Sequence, residues 1–334
     1  MVNRSAHASS FGLDFQTNAG IFLMLEYIEN MKSIKLEGDY EDIDIVLSDG
    51  THILAQAKSV ENASNDFSNV RAYLKKGLIT LSEGNNKTKA SRLIYITNSP
   101  NPFKDEDSKR IFSYLPAIRK YNTLPESARL IVDDYLSSIS KPLDKEKLYI
   151  QSLPFETDED NERYKYVREK IDSFINDLNY TSSIPGVSRK AFLVWNDKVF
   201  KNNTRKDTKL SLSKSEIVWP LIVIAVEGDI KNKELYSEFE EDVVEEVEQR
   251  YLHFLSLSMC RFEFFTKVIY DYQKFKQKGN LNSKTMEFVK SCYEDYIEEF
   301  SMYGLSEEVK KALVQTVIYK IIMKRKVINE LKQV

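Results

Sequence analysis

The sequence predicts an α/β fold, a mixed sheet flanked by helices, followed by a mainly α-helical C-terminal domain. Two observations carry this prediction. Residues 13–97 show the order helix, three strands, helix, strand. In the C-terminal part the apolar residues instead recur with a period near 3.6. The linker-like stretch YTSSIPGVS at residues 180–188 separates the two, so we predict domains at 1–180, with a core at 10–105, and at 188–334.

The N-terminal elements follow from the spacing of apolar and β-branched residues. Helical spacing predicts an opening helix over residues 13–31 and a second helix over about 66–83. Four short apolar runs predict strands, at residues 34–36, 43–47, 53–57 and 93–97. Residues 107–178 are predicted to be mostly helical apart from KLYIQSLPF at 147–155.

Two apolar stripes predict helices in the C-terminal part. They are Phe239, Val243, Val247, Tyr251, Leu252 and Leu255, and then Val309, Leu313, Val317, Ile321 and Ile322. Such stripes are typical of helix–helix packing rather than of a ligand site. We therefore predict a helical bundle with the capacity to bind a partner.

Composition weakens several functional classes. The chain has 48 basic and 51 acidic residues, so contact with nucleic acid would require a local basic surface. The three histidines, at positions 7, 52 and 253, are too scattered for a multi-histidine metal cage. GNNKT at residues 84–88 lacks the second glycine of a phosphate-binding loop, which argues against ATP hydrolysis by this chain.

Cysteine content and hydropathy predict a cytoplasmic protein that does not enter the membrane. Cys260 and Cys292 form neither a disulfide framework nor a CxxC pair. The longest apolar run, residues 218–226, is far shorter than the roughly 20 residues that span a bilayer. The first residues lack the apolar core of a secretory signal.

The stretch EGDYEDIDIVLSDGTHILAQAKS, residues 37–59, is unusual because it places charges inside two predicted strands. Strand side chains alternate between faces, so Asp42 and Asp44 share one face and Gln56 and Lys58 share one face. Burial of such charges is costly unless a partner or a metal ion compensates. The two pairs form a site only if they lie on the same side of the sheet.

The turn between these strands decides that question. A two-residue turn at residues 49–50 would direct Gln56 away from both aspartates. A three-residue loop at 48–50, with Gly50 in the left-handed conformation, instead places Asp42 opposite Gln56 and Asp44 diagonally across. We predict the three-residue loop, or a bulge with the same effect.

In that register two carboxylates, an amide and an ammonium group converge. Carboxylate and carbonyl oxygens suit Mg²⁺, which retains waters and binds phosphate oxygens. Lys58 would stabilise charge on a phosphoryl group or position the attacking water. Gln56 offers a neutral oxygen, so metal affinity should be lower than with glutamate. The set predicts metal-assisted phosphodiester hydrolysis with Mg²⁺, or alternatively Mn²⁺.

These residues resemble a known family. Asp44 followed by Gln56-Ala57-Lys58 looks like the PD-(D/E)XK restriction-endonuclease fold in its D…QxK form. FGLDFQTNAG before EDIDI, AQAKS and LIYITNSPNPF is similar to the DNA-degrading effector domain of CBASS anti-phage systems and of the nuclease subunit of Lamassu, or ABC-three-component, systems. The similarity covers roughly the first 100 residues, and LYIQSLPF extends it to about residue 155.

The resemblance implies roles for individual residues. Asp44 and Gln56 would bind the metal, the Ala57 carbonyl would complete its shell, and Lys58 would be catalytic. Asp42 competes with Asp44 as principal ligand. Two further residues, Gln16 on the opening helix and Glu37 on the preceding strand, would face the site.

It also implies a function in defence. The chain would be a DNA endonuclease acting on double-stranded DNA, held inactive by an SMC-like ATPase and an accessory subunit that bind the helical C-terminal domain, and active as a homo-oligomer. The helical C-terminus departs from CBASS nucleases, which carry an α/β nucleotide sensor, and so favours the Lamassu type. A non-catalytic adaptor of an SMC-like ATPase and a cyclic-nucleotide-gated CBASS nuclease are the alternatives.

Basic residues on the second helix are candidates for contact with the DNA backbone. They are Arg71, Lys75 and Lys76. The common alternative for such residues is a solvated helix face.

Overall fold

The computed structural model divides the chain into two compact units. The first contains Met1–Phe174 and Phe192–Ile217, and the second contains Ile175–Ala191 and Val218–Val334. The structure describes residues 4–113, 116–156, 159–178, 186–207, 209–227, 234–258, 262–277, 284–298 and 304–333. The predicted linker at 180–188 lies mostly outside these ranges.

The first unit is built on one mixed sheet. Its strands are β1 (Met31–Leu36), β2 (Ile43–Leu47), β3 (His52–Lys58), β4 (Ala90–Thr97), β5 (Ala117–Lys120), β6 (Leu148–Ser152) and β7 (Leu212–Ser213). They are arranged in the order β5-β6-β4-β3-β2-β1-β7. β3, β4 and β6 are parallel to one another, and the other neighbours are antiparallel. The predicted mixed sheet is confirmed.

Helices cover both faces of this sheet. They are α1 (Arg4–Tyr27), α2 (Val70–Lys87), α3 (Glu106–Phe112), α4 (Glu126–Ser137), α5 (Asp160–Arg163), α6 (Lys165–Asp177) and α7 (Val187–Asn203). α1 lies on the face of Leu36, whose side chain contacts Gly20. α2 lies on the opposite face, where Gly77 packs against the buried ring of Tyr95. The site-bearing strands are therefore enclosed between α1 and α2.

The border between the units differs from the predicted one near residue 180. Residues 192–217 belong with the sheet, because β7 pairs with β1 through Ile34 opposite Leu212 and Ser33 opposite Ser213. A two-residue strand carries no detectable periodicity in the sequence. β5 is a further difference, since it lies in a region that the sequence predicts to be helical apart from residues 147–155.

The second unit is mostly helical in its described part, as predicted. Besides the ends of α6 and α7 it contains α8 (Lys214–Glu227, from residue 218), α9 (Glu241–Ser258), α10 (Phe262–Gln277), α11 (Lys284–Cys292), α12 (Glu294–Ile297), α13 (Glu307–Met323) and α14 (Arg325–Gln333). All five members of the second stripe are buried on α13. In the first stripe Val243, Val247 and Tyr251 are buried, whereas the side chains of Leu252 and Leu255 lie outside the description.

None of the helices in the described ranges combines the length and the apolar character needed to cross a membrane.

Candidate functional site

Val46 pairs with His52, so Leu47 lies opposite Thr51 and the loop between the two strands has three residues, 48–50. The Leu47 amide donates to the Thr51 carbonyl (2.8 Å), and the Gly50 amide donates to the Leu47 carbonyl (3.0 Å). Gly50 has a φ of 79°, a left-handed conformation that glycine adopts without a steric penalty. The predicted loop length and its left-handed glycine are confirmed.

This loop sets the register of the candidate site. Asp44 lies opposite Leu54, and two residues further along the ladder Asp42 faces Gln56. Gln56 Nε2 donates a hydrogen bond to Asp42 Oδ2. The acid and the amide therefore share one sheet face, as the three-residue loop predicted.

Asp42 is the centre of the cluster. Besides the Gln56 amide, its Oδ2 atom accepts from the Ala57 backbone amide (3.1 Å) and from Lys58 Nζ (3.4 Å). The side chains of Asp42 and Lys58 are 19% and 31% exposed, so both can be reached from the solvent. Asp42 Oδ2 thus accepts hydrogen bonds from one backbone amide and from both polar side chains at the end of β3.

The surroundings of Asp42 disfavour its negative charge. Burial raises the pKa of this carboxyl above its usual value, and the neighbouring Glu37 carboxylate adds to the rise. Lys58 acts in the opposite direction, as does the Ala57 amide. A further positive charge at this position would favour the ionised carboxylate.

Gln16 and Glu37 join the cluster from α1 and from the loop after β1. The buried Gln16 side chain donates through Nε2 to Glu37 Oε1 (2.8 Å) and to the Asp42 carbonyl (3.2 Å). Glu37 has a φ of 49°, an uncommon conformation for a residue other than glycine. Its amide donates to the Asp42 carbonyl (2.9 Å), which closes the loop between β1 and β2. Both residues thus lie beside Asp42, where the resemblance implied them.

Asp44 has a different partner. Its Oδ1 atom lies 2.7 Å from His52 Nδ1, and the carboxylate is 6% exposed. Burial raises the pKa of Asp44, while the hydrogen bond from His52 opposes that rise. Of the two aspartates that the sequence left open as principal ligand, the geometry favours Asp42, because Asp42 and not Asp44 lies with Gln56 and Lys58.

Thr80 joins the cluster although it is not among the residues that the sequence predicts for the site. Its hydroxyl on α2 donates to Gln56 Oε1 (2.5 Å), at the end of the amide that faces away from Asp42. The contact crosses between two elements, so no local pattern reveals it. Thr80 orients Gln56 and thereby the hydrogen bond to Asp42.

Glu41, which precedes Asp42, is a second neighbour of the cluster that the sequence does not predict. Its side chain is buried, and Oε1 has no hydrogen-bond partner among the described residues. Oε1 lies 3.1 Å from the position that a Cβ on Gly84 would take, so the absence of a side chain there gives Glu41 its space. Burial, assisted by the charge of Asp42, raises the pKa of Glu41 to about 8.

Glu41→Gln is expected to stabilise the metal-free protein at pH 8 but not at pH 5. The folded-state pKa of about 8 exceeds the ordinary value of 4.5, so the folded chain retains a proton that the unfolded chain loses. Wild-type stability therefore falls as pH rises between these values, at most by about 1.4 kcal/mol per pH unit. Thermal unfolding in EDTA, compared with the exposed-site variant Glu169→Gln, measures the difference. A constant gain in Tm across this pH range would contradict the prediction.

The three basic candidates on α2 have different environments. Arg71 Nε donates to the Phe103 carbonyl (2.7 Å). Lys75 Nζ lies 5.6 Å from the centre of the Tyr135 ring. Lys76 lines a cleft beside Asp42 and Lys58. Lys76 is thus the candidate that lies with the acidic cluster.

This cleft has a volume of about 720 Å³. It lies between the first part of α1, the loop after β1, the end of β3 and the start of α2. Gln16, Glu37, Asp42 and Lys58 all line it. The clustered polar side chains are therefore accessible to a ligand of substantial size.

The donor atoms fit a hard cation in their chemistry. Asp42 and Glu37 contribute carboxylates and Gln56 contributes an amide oxygen, the donor types that Mg²⁺ prefers. Within the described ranges no group of three or more His, Cys, Asp or Glu residues is arranged to hold a metal ion. The candidate set therefore depends on an amide oxygen to supplement its two carboxylates.

Gln56 can serve such a cation only after its amide turns. At present Nε2 faces Asp42 and Oε1 faces the Thr80 hydroxyl. A half-turn would bring Oε1 beside Asp42 Oδ2, and the hydroxyl, which can donate or accept, would then accept from Nε2. The same side chain can bond to the carboxylate or share a cation with it.

No family model matches the sequence, and comparison with curated proteins and with solved structures gives no significant match.

Proposed function

We propose that this protein is a metal-dependent endodeoxyribonuclease, with Mg²⁺ as its cofactor and Mn²⁺ as an alternative. The observation that carries the proposal is the convergence of Asp42, Gln56 and Lys58, of which Asp42 and Lys58 line the cleft. An acid, an amide oxygen and an ammonium group together suit hydrolysis of a phosphodiester. As part of this proposal, we assign the first unit to the PD-(D/E)XK fold.

Asp42, Glu37 and Gln56 are the residues that would hold the cation. Bound there, Mg²⁺ would polarise a phosphate and activate a water molecule. Gln16 restrains Glu37 through its 2.8 Å hydrogen bond, and Thr80 restrains Gln56. These contacts limit the side-chain entropy that the ligands would lose on binding.

Lys58 would act on the substrate. Its Nζ atom lies 3.4 Å from Asp42 Oδ2, so a phosphate bound beside Asp42 would lie within reach of the ammonium group. Positive charge at that point stabilises the charge that develops on phosphoryl oxygens in the transition state.

The cleft has an excess of acidic residues, which supports the proposal that DNA binds only when the cation is present. The acidic residues of its lining are Glu37, Asp42, Glu61 and Asp66, and the basic ones are Lys58 and Lys76. Without a bound cation this excess of acid would repel a polyanion. One divalent cation held by Asp42 and Glu37 would offset this excess of two negative charges and so weaken the repulsion of the DNA backbone.

On the resemblance alone, we extend the proposal to a bacterial defence complex. The helical second unit would bind an SMC-like ATPase and an accessory subunit that hold the nuclease inactive. Release and homo-oligomerisation would activate it against double-stranded phage or plasmid DNA.

Lys58→Ala is expected to lower plasmid cleavage in Mg²⁺ roughly 100-fold or more. The matched control is Lys75→Ala, whose ammonium group lies over Tyr135, and it should cleave at nearly the wild-type rate. The full chain is assayed over a range of concentrations, since oligomerisation is part of the proposal. Equal cleavage by wild type and Lys58→Ala would overturn the proposed site. A wild-type chain that is inert at every concentration, and also after release from its partners, would establish the adaptor alternative.

A further inference from the structure

The side chain of Asn202, on α7, occupies an unusual position at the outer edge of β1. It is 4% exposed. Its Oδ1 atom accepts from the Leu36 backbone amide (2.9 Å), and its Nδ2 atom donates to the Leu210 carbonyl (2.9 Å). One amide side chain therefore bridges two backbone segments.

The register of β7 explains this bridge. Ser33 lies opposite Ser213 and Ile34 opposite Leu212. Every second pair of an antiparallel ladder is hydrogen-bonded, so after Ile34 the next such pair would join Leu36 to Leu210. At this rung the Asn202 amide takes the place of the direct backbone hydrogen bond. It supplies the acceptor that Leu36 needs and the donor that Leu210 needs. The ladder is thus extended by a side chain up to the last residue of β1.

The next residue, Asn203, makes a similar contact with α1. It is 5% exposed, and its Nδ2 atom donates to Thr17 Oγ1 (3.3 Å). Thr17 directly follows Gln16, just as Leu36 directly precedes Glu37. Asn202 therefore bonds to the residue before Glu37, and Asn203 bonds to the residue after Gln16. Gln16 and Glu37 hydrogen-bond to each other beside Asp42.

We propose that Asn202 and Asn203 are positioning residues for the candidate active site, an inference that rests on the proposed nuclease function. They hold the end of β1 and the middle of α1, so that Gln16 reaches both Glu37 and the Asp42 carbonyl. Loss of these contacts would loosen the alignment of Glu37 and Gln16 beside Asp42.

Asn202→Ala is expected to lower kcat for plasmid cleavage roughly 10- to 100-fold, with KM for DNA nearly unchanged. It removes no group from the cleft, so substrate contacts remain while the ligands lose their alignment. Hydrogen exchange should also become faster at the amides of Leu36 and Glu37, which now donate to Asn202 and to the Asp42 carbonyl. Asn203→Ala should act in the same direction.

Two variants of the same helix serve as controls. Lys201→Ala removes only an exposed ion pair with Asp197 and should behave as wild type. Val199→Ala loosens buried packing but keeps both asparagines, so it should lower Tm without the loss of kcat. If Val199→Ala lowers kcat as much as Asn202→Ala, the role of α7 is general packing and the inference fails. Unchanged hydrogen exchange in Asn202→Ala also overturns it, and this result does not depend on cleavage. Absence of cleavage by wild type at every concentration, and also after release from its partners, would instead overturn the nuclease proposal.

Discussion

Asp42→Asn is expected to lower DNA cleavage roughly 100- to 1000-fold, whereas Asp44→Asn should cleave at nearly the wild-type rate. Asp42 Oδ2 lies 3.1 Å from the Ala57 amide and 3.4 Å from Lys58 Nζ, and Asp42 and Lys58 both line the cleft. Loss of its charge removes the principal candidate ligand. Asp44 bonds to His52 Nδ1 instead, and an asparagine oxygen can accept the same hydrogen bond.

The pair is a matched comparison because both variants make the same chemical change on the same face of the sheet. Plasmid cleavage in Mg²⁺ gives the activity. Thermal unfolding gives an independent measure, because a cation that binds only the folded state raises Tm. Mg²⁺ should raise the Tm of wild type and of Asp44→Asn but not that of Asp42→Asn. The reverse pattern would make Asp44 the metal ligand.

Gly77→Ala is expected to destabilise the protein by about 1–3 kcal/mol, although alanine is generally more favourable than glycine inside a helix. A Cβ at this position in α2 would lie 2.5 and 2.6 Å from two ring carbons of Tyr95 and 3.4 Å from Gln56 Cγ. The Tyr95 ring is buried and surrounded by core side chains, so it cannot turn aside. The steric cost should exceed the roughly 1 kcal/mol gained in helix propensity.

Gly12→Ala is the matched control for this substitution. It also lies inside a helix, but the nearest atom that its Cβ would meet is Ser59 Oγ, at an ordinary 3.8 Å. Chemical denaturation should therefore show a gain in stability for Gly12→Ala and a loss for Gly77→Ala. A gain in both would mean that α2 can shift away from the sheet without cost.

Much of the first unit could be predicted from local patterns. The alternation of residues 43–47 and 53–57 marks a hairpin, and Gly50 supplies the residue that a three-residue loop requires. These signals lie within a few residues of one another, so they hold before any tertiary contact forms. The face shared by Asp42 and Gln56 follows directly from them.

Other parts had no local signal. β5 and β7 are short edge strands of four and two residues, defined by the strands beside them rather than by their own periodicity. Thr80 reaches Gln56 across the packing of α2 on the sheet. In each case the partner comes from another element, and its position depends on the whole fold.

The sequence by itself determined the mixed α/β order, the hairpin loop and the convergence of an acid, an amide and a lysine, because these follow from short-range alternation and from one glycine. Only the tertiary structure decided which aspartate joins that cluster. Asp44 bonds to His52, whereas the Ala57 amide and Lys58 donate to Asp42. It also decided what holds the cluster in place, since Asn202 reaches Leu36 across 166 residues of chain. Contacts of that range arise from packing, and no pattern along the chain records them.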